Sequence, residues 1–121
     1  MGLAAYRIDL HPCVDGTGPR DRYAHPTQLP LGMLLPQRLD GLLAGSKNAG
    51  VTHIANGATR VHPAEWAIGE AAGALAAFAV ERGVAPRAVH ATAALRADFR
   101  ARLLALGVPL AWPVELRTAV L

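Results

Sequence analysis

The sequence predicts a mixed α/β protein with a few short strands, one long buried helix rich in Ala and Gly, and one amphipathic helix near the C-terminus. Three observations carry that expectation. Apolar and polar residues alternate near the N-terminus, a nearly uncharged stretch runs from Pro63 to Gly83, and an apolar stripe at helical spacing runs from Leu95 to Leu106.

Residues 4–11, AAYRIDLH, place Tyr6, Ile8 and Leu10 on one side and Arg7, Asp9 and His11 on the other. That two-residue period is a half-buried strand, ended by Pro12. From Pro12 to Pro30 the residues show no period and read as a long loop, a feature usually functional or disordered. Met33 to Leu35, between Pro30 and Pro36, is predicted as a short strand, and Leu39 to Ala44 as a second. The second stops abruptly at Gly45-Ser46, an arrangement that can present backbone N–H groups to a ligand. Lys47 to His62 reads as loop again, with Asn48, Gly50, Asn56 and Gly57 as breakers.

The long helix follows. Pro63 suits its first position, where a missing N–H costs nothing, and Gly83 suits the position just past its end, with Pro86 confirming the stop. A helix of about nineteen residues is roughly 28 Å long. Its only charges are Glu65, Glu70, Glu81 and Arg82. A helix apolar all round is expected to be buried all round. Gly69, Gly73 and Ala77 lie one turn apart, and interior Gly costs about 1 kcal/mol against Ala, so that face implies a close neighbour. Trp66, Leu75 and Phe78 are expected to pack on side chains opposite. The final helix is predicted from about Thr92 to Leu106, with Leu95, Phe99, Leu103 and Leu106 inward and Gly107 as its stop.

A chain of 121 residues is sized for one domain, but two each of Phe, Trp and Tyr supply few large core anchors. Two short strands and one further helix can hardly cover the long one, so the sequence reads as incomplete. It is expected to pack against another polypeptide segment or to self-associate. The net charge of +3 comes from scattered arginines with no aromatic interleaving, which argues against nucleic acid as a partner. Cys13 is the only cysteine, which fits a reducing compartment. The N-terminus lacks the pattern of a signal peptide, and the longest charge-free apolar run, Ala71 to Val80, is about half a membrane span. A soluble cytoplasmic protein without a membrane partner is expected.

The run LPLGMLLPQRLDGLLAGSKNAGVTHIANGATRVHPAEWAIGEAAGALAAF resembles the C-terminal segment of FAD-dependent oxidoreductases with a glutathione-reductase-type FAD-binding domain. The matching parts are LLAG (Leu42 to Gly45), Arg-x-x-Pro (Arg60 to Pro63) and Gly-Glu-Ala-Ala-Gly (Gly69 to Gly73). YRIDLHP looks like the family's preceding strand and ALRADFRARLLALGVPLAWP like its terminal helix and extension, so the likeness runs from about Tyr6 to Trp112. It implies an incomplete C-terminal portion of a Rossmann-like FAD-binding fold. Residues 1–38 would form a strand and loop from the substrate side, 39–83 a return strand and flavin-facing helix, and 84–121 a terminal helix and extension. The family's Gly-x-Gly-x-x-Gly turn is missing, since GTGPRD at 16–21 has Pro19 and no strand leading in. The chain is therefore read as a truncated frame or a C-terminal part.

The cofactor-binding candidates are Gly45, Ser46, Arg60, His62, Pro63 and Gly69, with FAD as the ligand that the resemblance implies. Each has a plainer alternative: a strand-end turn for Gly45 and Ser46, a surface ion pair for Arg60, a helix cap for His62, packing for Gly69. Asp9 and His11 are substrate-pocket candidates, or the polar side of an edge strand. Glu70 is read as a hydrogen-bonding or solvated carboxylate rather than a catalytic base. The five histidines show no metal-binding spacing, so no metal site is expected, and Cys13 has no partner that would activate it. Three functions stand. The first is the flavin-proximal part of an FAD-dependent oxidoreductase. The second is a self-associating non-catalytic module left from one, and the third a small binding protein using the loop around Arg20 and Arg22.

Overall fold

A computed structural model describes residues 1–18 and 20–119, with the side chain of Arg20 excepted. Pro19, invoked above against a phosphate-binding turn, lies outside the described residues, as does the Arg20 side chain of the basic-loop reading. The architecture is mixed α/β, with short strands on one side of several helices.

The N-terminal strand and the long loop are both corrected. Two strands, β1 (Gly2–Ala4) and β2 (Ile8–Leu10), replace the first, and the loop supplies β3 (Arg20–Arg22) and β4 (Thr27–Leu29). Pairing is antiparallel and nested, Gly2 with Leu29 and Ile8 with Arg22, so the chain makes one long hairpin interrupted midway. The loop was misread because its strands are too short and polar to show a period. The alternation itself holds in part: Leu10 is buried and Ile8 half-buried, whereas Tyr6 in the interruption is exposed.

Residues Leu31–Leu34 form a 3-10 turn instead of a strand. The Leu39–Ala44 strand is also absent, for an identifiable reason. Arg87 donates from Nη2 to the carbonyls of Pro36 (2.7 Å) and Leu39 (3.2 Å), and from Nε to Asp40 Oδ1 (3.1 Å). Ala44 N–H bonds to Leu34 O at 2.9 Å. A strand exists only beside a ladder partner, and among the described residues no strand lies beside this segment.

The predicted loop from Lys47 to His62 contains helix α1 (His53–Thr59), capped by Thr52 Oγ1, which accepts from Ala55 N–H at 3.3 Å. Asn56 and Gly57 lie inside it. Gly57 is there for close approach: a Cβ would stand 2.8 Å from Leu10 Cδ2 and 3.0 Å from Asp9 O, so α1 rests directly on β2.

Helix α2 (His62–Arg82) has the expected limits, with Pro63 in its first turn and Gly83 left-handed at its C-cap, φ 62°. Pro86 does more than mark a stop: it opens α3 (Pro86–Ala91). Helix α4 (Ala93–Ala105) ends before Gly107, φ 83°. Phe99 and Leu103 are buried and Leu95 half-buried as expected, but Leu106 is exposed because it falls beyond the last helical turn.

The core lies where α2 meets α3, α4 and the β1–β4 ribbon. Leu29, Leu34, Leu75, Val89 and Leu103 are fully enclosed, and Phe78 packs on Phe99 with ring centres 5.5 Å apart. Arg82 lies over the Phe78 ring and pairs with Asp98 at 3.2 Å, and Glu81 pairs with Arg102. The C-terminal extension returns to the ribbon: Trp112 Nε1 donates to Thr27 O at 3.1 Å.

The expectation that α2 is buried on every side is corrected. Ala64, Ile68, Ala71, Leu75 and Phe78 make the covered flank. Gly73, Ala76 and Ala77 are exposed, as are Trp66 (71 %) and Val80 (82 %). Trp66 thus faces outward instead of packing with Leu75 and Phe78. The described residues hold enough large side chains to cover one flank only. No described helix is long and apolar enough to cross a membrane.

Candidate functional site

The sequence-predicted site residues fall into two groups. In the first, the loop after Ala44 lies against the opening turns of α2. Gly69 faces the backbone of Gly45, and a Cβ on it would stand 3.1 Å from Gly45 O. Of the small-residue face, Gly69 alone has a close neighbour, since nothing lies within 4 Å of a Cβ on Gly73. Ser46 N–H is already engaged, donating to Asn48 Oδ1 at 3.1 Å. That bond runs from the backbone two residues before Asn48 to its side chain and bridges the turn after Gly45.

The start of α2 lacks a side-chain cap: Val61 precedes it in extended conformation. Glu65 N–H donates to Val61 O at 3.0 Å, leaving the earlier N–H groups with the positive end of the dipole. His62 and Pro63 are exposed, and the His62 ring stacks on Trp66 with centres 6.3 Å apart and planes 15° apart. A shallow cavity of about 380 Å³ opens beside this terminus, between Val61, Pro63 and Ala64 on one side and Leu3, Tyr6 and Trp112 on the other. Its walls are mainly apolar, and its size is in the range of small-molecule sites.

The second group joins Asp9, His11 and Arg60. Arg60, the C-cap of α1, donates from Nη2 to Asp9 O at 2.7 Å and lies 3.7 Å from the Asp9 carboxylate. His11 Nε2 is 3.4 Å from Asp9 Oδ2. Arg60 therefore ties the end of α1 to β2. Gly57 and Arg60 together make that junction, and Arg60 leads through Val61 into the open turn of α2.

Sequence reading missed one buried carboxylate next to this turn. Glu65 is 8 % exposed, and its Oε1 is enclosed with no hydrogen-bond partner. The nearest cation, Lys47 Nζ, stands 3.8 Å away, beyond hydrogen-bonding distance. The available signal was spacing: Glu65 precedes Ile68 and Ala72 by three and seven residues, which puts a carboxylate on the apolar stripe. Glu70, by contrast, is exposed.

Among the described residues no three His, Cys, Asp or Glu side chains cluster as metal ligands. Cys13 is exposed. A separate cavity of about 340 Å³ lies against α4, lined by Leu31, Phe99, Arg100 and Leu103. It is remote in sequence from both groups.

Residues 1–103 match the family described as FAD dependent oxidoreductase. No curated protein and no solved structure matches the chain.

Proposed function

The chain belongs to the FAD dependent oxidoreductase family, and from that premise we propose that it forms the flavin-proximal C-terminal part of such an oxidoreductase. The fold it completes is Rossmann-like, and the remaining partner is a segment carrying the Gly-x-Gly-x-x-Gly turn for the pyrophosphate. The whole protein would work in the cytoplasm. The single observation that supports the reading is the open flank of α2, where Gly73, Ala76, Ala77 and Val80 are exposed.

FAD supplies hydride and electron transfer when bound. The residues present fit it. The loop at Gly45 and Ser46 and the backbone N–H groups near His62 and Pro63 would hold the cofactor, with Gly69 allowing the loop to lie close. The start of α2 favours negative charge beside it, as free N–H groups and the helix dipole do. His62 and Trp66 form an exposed aromatic edge suited to a flat ring, and Arg60 anchors the approach to it. Asp9 and His11 line the substrate side. The exposed Leu39 and Leu42, together with the free flank of α2, would receive the FAD-binding segment.

The test is direct. Purified chain is expected to take up FAD weakly and to show the flavin's visible absorption after gel filtration only when the rest of the FAD-binding domain is supplied. A colourless, monomeric chain that shows no interaction with flavin or with that domain would contradict the proposal. The second reading, a self-associating module, is favoured by the same open flank of α2. It predicts concentration-dependent dimers that FAD does not disperse.

A further inference from the structure

We propose that the cavity beside α4 binds a small carboxylic acid with an apolar body. Arg96 and Arg100 hold its carboxylate, and Leu31, Phe99, Leu103 and Leu110 receive its body. The inference does not rest on the flavin-proximal reading, because this cavity shares no lining residue with the one beside the start of α2.

The walls select the body. The space measures about 340 Å³, within the range of small-molecule sites. Phe99, Leu103 and Leu110 are buried, and apart from the two arginines every lining side chain is apolar. Such walls offer a sugar or a nucleotide base no side-chain hydrogen bond while stripping water from its polar groups. A hydrocarbon loses nothing there and covers apolar surface.

The charge selects the head group. Arg96 and Arg100 lie four residues apart on α4, so two like charges share one helix face, which opposes the helix unless an anion intervenes. Other arginines nearby already meet carboxylates: Arg82 with Asp98 at 3.2 Å, Arg87 with Asp40 at 3.1 Å, and Arg102 with Glu81. Among the described residues no carboxylate pairs with Arg96 or Arg100, and none lines the cavity. Arg96 donates from Nη1 to His90 O, which steadies its guanidinium and leaves further N–H groups to donate. Arg100 is exposed and free to turn onto the same ligand. A guanidinium fork matches a planar carboxylate, often through two parallel bonds. A bare phosphate would meet the arginines and leave the hydrocarbon wall uncovered.

The test titrates the full chain with decanoate, decanol and acetate, all below the concentrations at which the first two aggregate. Melting shifts and amide NMR report binding. Decanoate is expected to raise the melting temperature and to move the amides of Phe99, Arg100 and Leu103. Decanol and acetate are each expected to bind at least about tenfold more weakly. Arg100→Gln is expected to weaken decanoate about tenfold or more, and to leave both decanol binding and the ligand-free melting temperature unchanged. Arg38→Gln removes an exposed cation outside the cavity and is expected to change neither ligand.

Equal affinity for decanoate and decanol, or an equal loss of decanoate in the two variants, would overturn the inference by removing charge at this site as the cause. Acetate binding as tightly as decanoate would overturn it too, since the hydrocarbon wall would then play no part. So would the absence of any response to decanoate. Displacement of decanoate by FMN would reassign the cavity to the flavin, against the inference. Movement of the same amides on concentrating the ligand-free chain would mean that a second copy fills the cavity, and would also overturn it.

Discussion

The two flanks of α2 differ in the size of their side chains and have opposite fates. One carries Ile68, Leu75 and Phe78 among its alanines and forms the centre of the core. The other carries Gly73, Ala76, Ala77 and Val80, with Trp66 and Glu70 beside them, and is exposed. Small residues bury little area themselves, at roughly 25 cal/mol per Å², so a Gly/Ala flank cannot recruit cover from a short chain. It can accept a flat or closely approaching partner, because backbone lies near its surface. The covered flank thus stabilises this chain, and the open one suits a body that comes from elsewhere.

Truncation separates the flanks most sharply. Leu75→Ala, at a fully enclosed position, is expected to cost about 2–5 kcal/mol in urea unfolding. Val80→Ala is expected to change stability by less than about 0.5 kcal/mol at low protein concentration. A large, concentration-dependent effect at Val80 would mean that a second copy covers the open flank, and would favour the self-associating reading.

Glycine replacements sharpen the same contrast. Gly57→Ala pushes a methyl into Leu10 and the Asp9 backbone and is expected to destabilise by about 1–3 kcal/mol. Gly73→Ala has open space around it inside a helix and is expected to stabilise the chain by about 1 kcal/mol. In the complete flavin-binding assembly that sign should reverse, because the methyl would then meet the incoming surface. Unfolding midpoints of both variants, with and without the partner segment, check this.

A smaller effect concerns the C-terminal half of α2. The hydrogen bond from Arg102 holds the Glu81 carboxyl below its ordinary value of 4.5. A carboxyl depressed by folding contributes stability that is fully present above its unfolded value and lost as pH falls through the folded one. The urea midpoint of wild type should therefore decline below pH 4.5, and Glu81→Gln should flatten that part of the profile. An unchanged slope would mean that the α2–α4 pair is not maintained in solution.

The legibility of the sequence follows the same division. Both ends of α2 and the inward residues Phe99 and Leu103 could be read because Pro63, Gly83 and the helical spacing act locally. The strands β3 and β4 could not, since three residues in a ribbon show no period and depend on pairing partners far along the chain. Helix α1 was hidden by Asn56 and Gly57, whose usual meaning as breakers gave way to the close packing of Gly57 on β2. The Leu39–Ala44 segment has the composition of a strand but gives its Leu39 carbonyl and Asp40 side chain to Arg87 and lies beside no strand among the described residues. At the site, Gly45, Ser46 and Gly69 were legible as a motif and come together in space. Glu65 was not, because burial of a carboxylate is a property of three-dimensional neighbours.

The central claim, that the loop at Gly45 and the first turn of α2 form the flavin-facing surface, is tested most directly by amide NMR mapping during titration with FMN. The account predicts that the amides of Gly45, Ser46, Ala64 and Glu65 move first and together. Perturbations confined to the cavity of Phe99, Arg100 and Leu103, or none at saturating flavin, would contradict it.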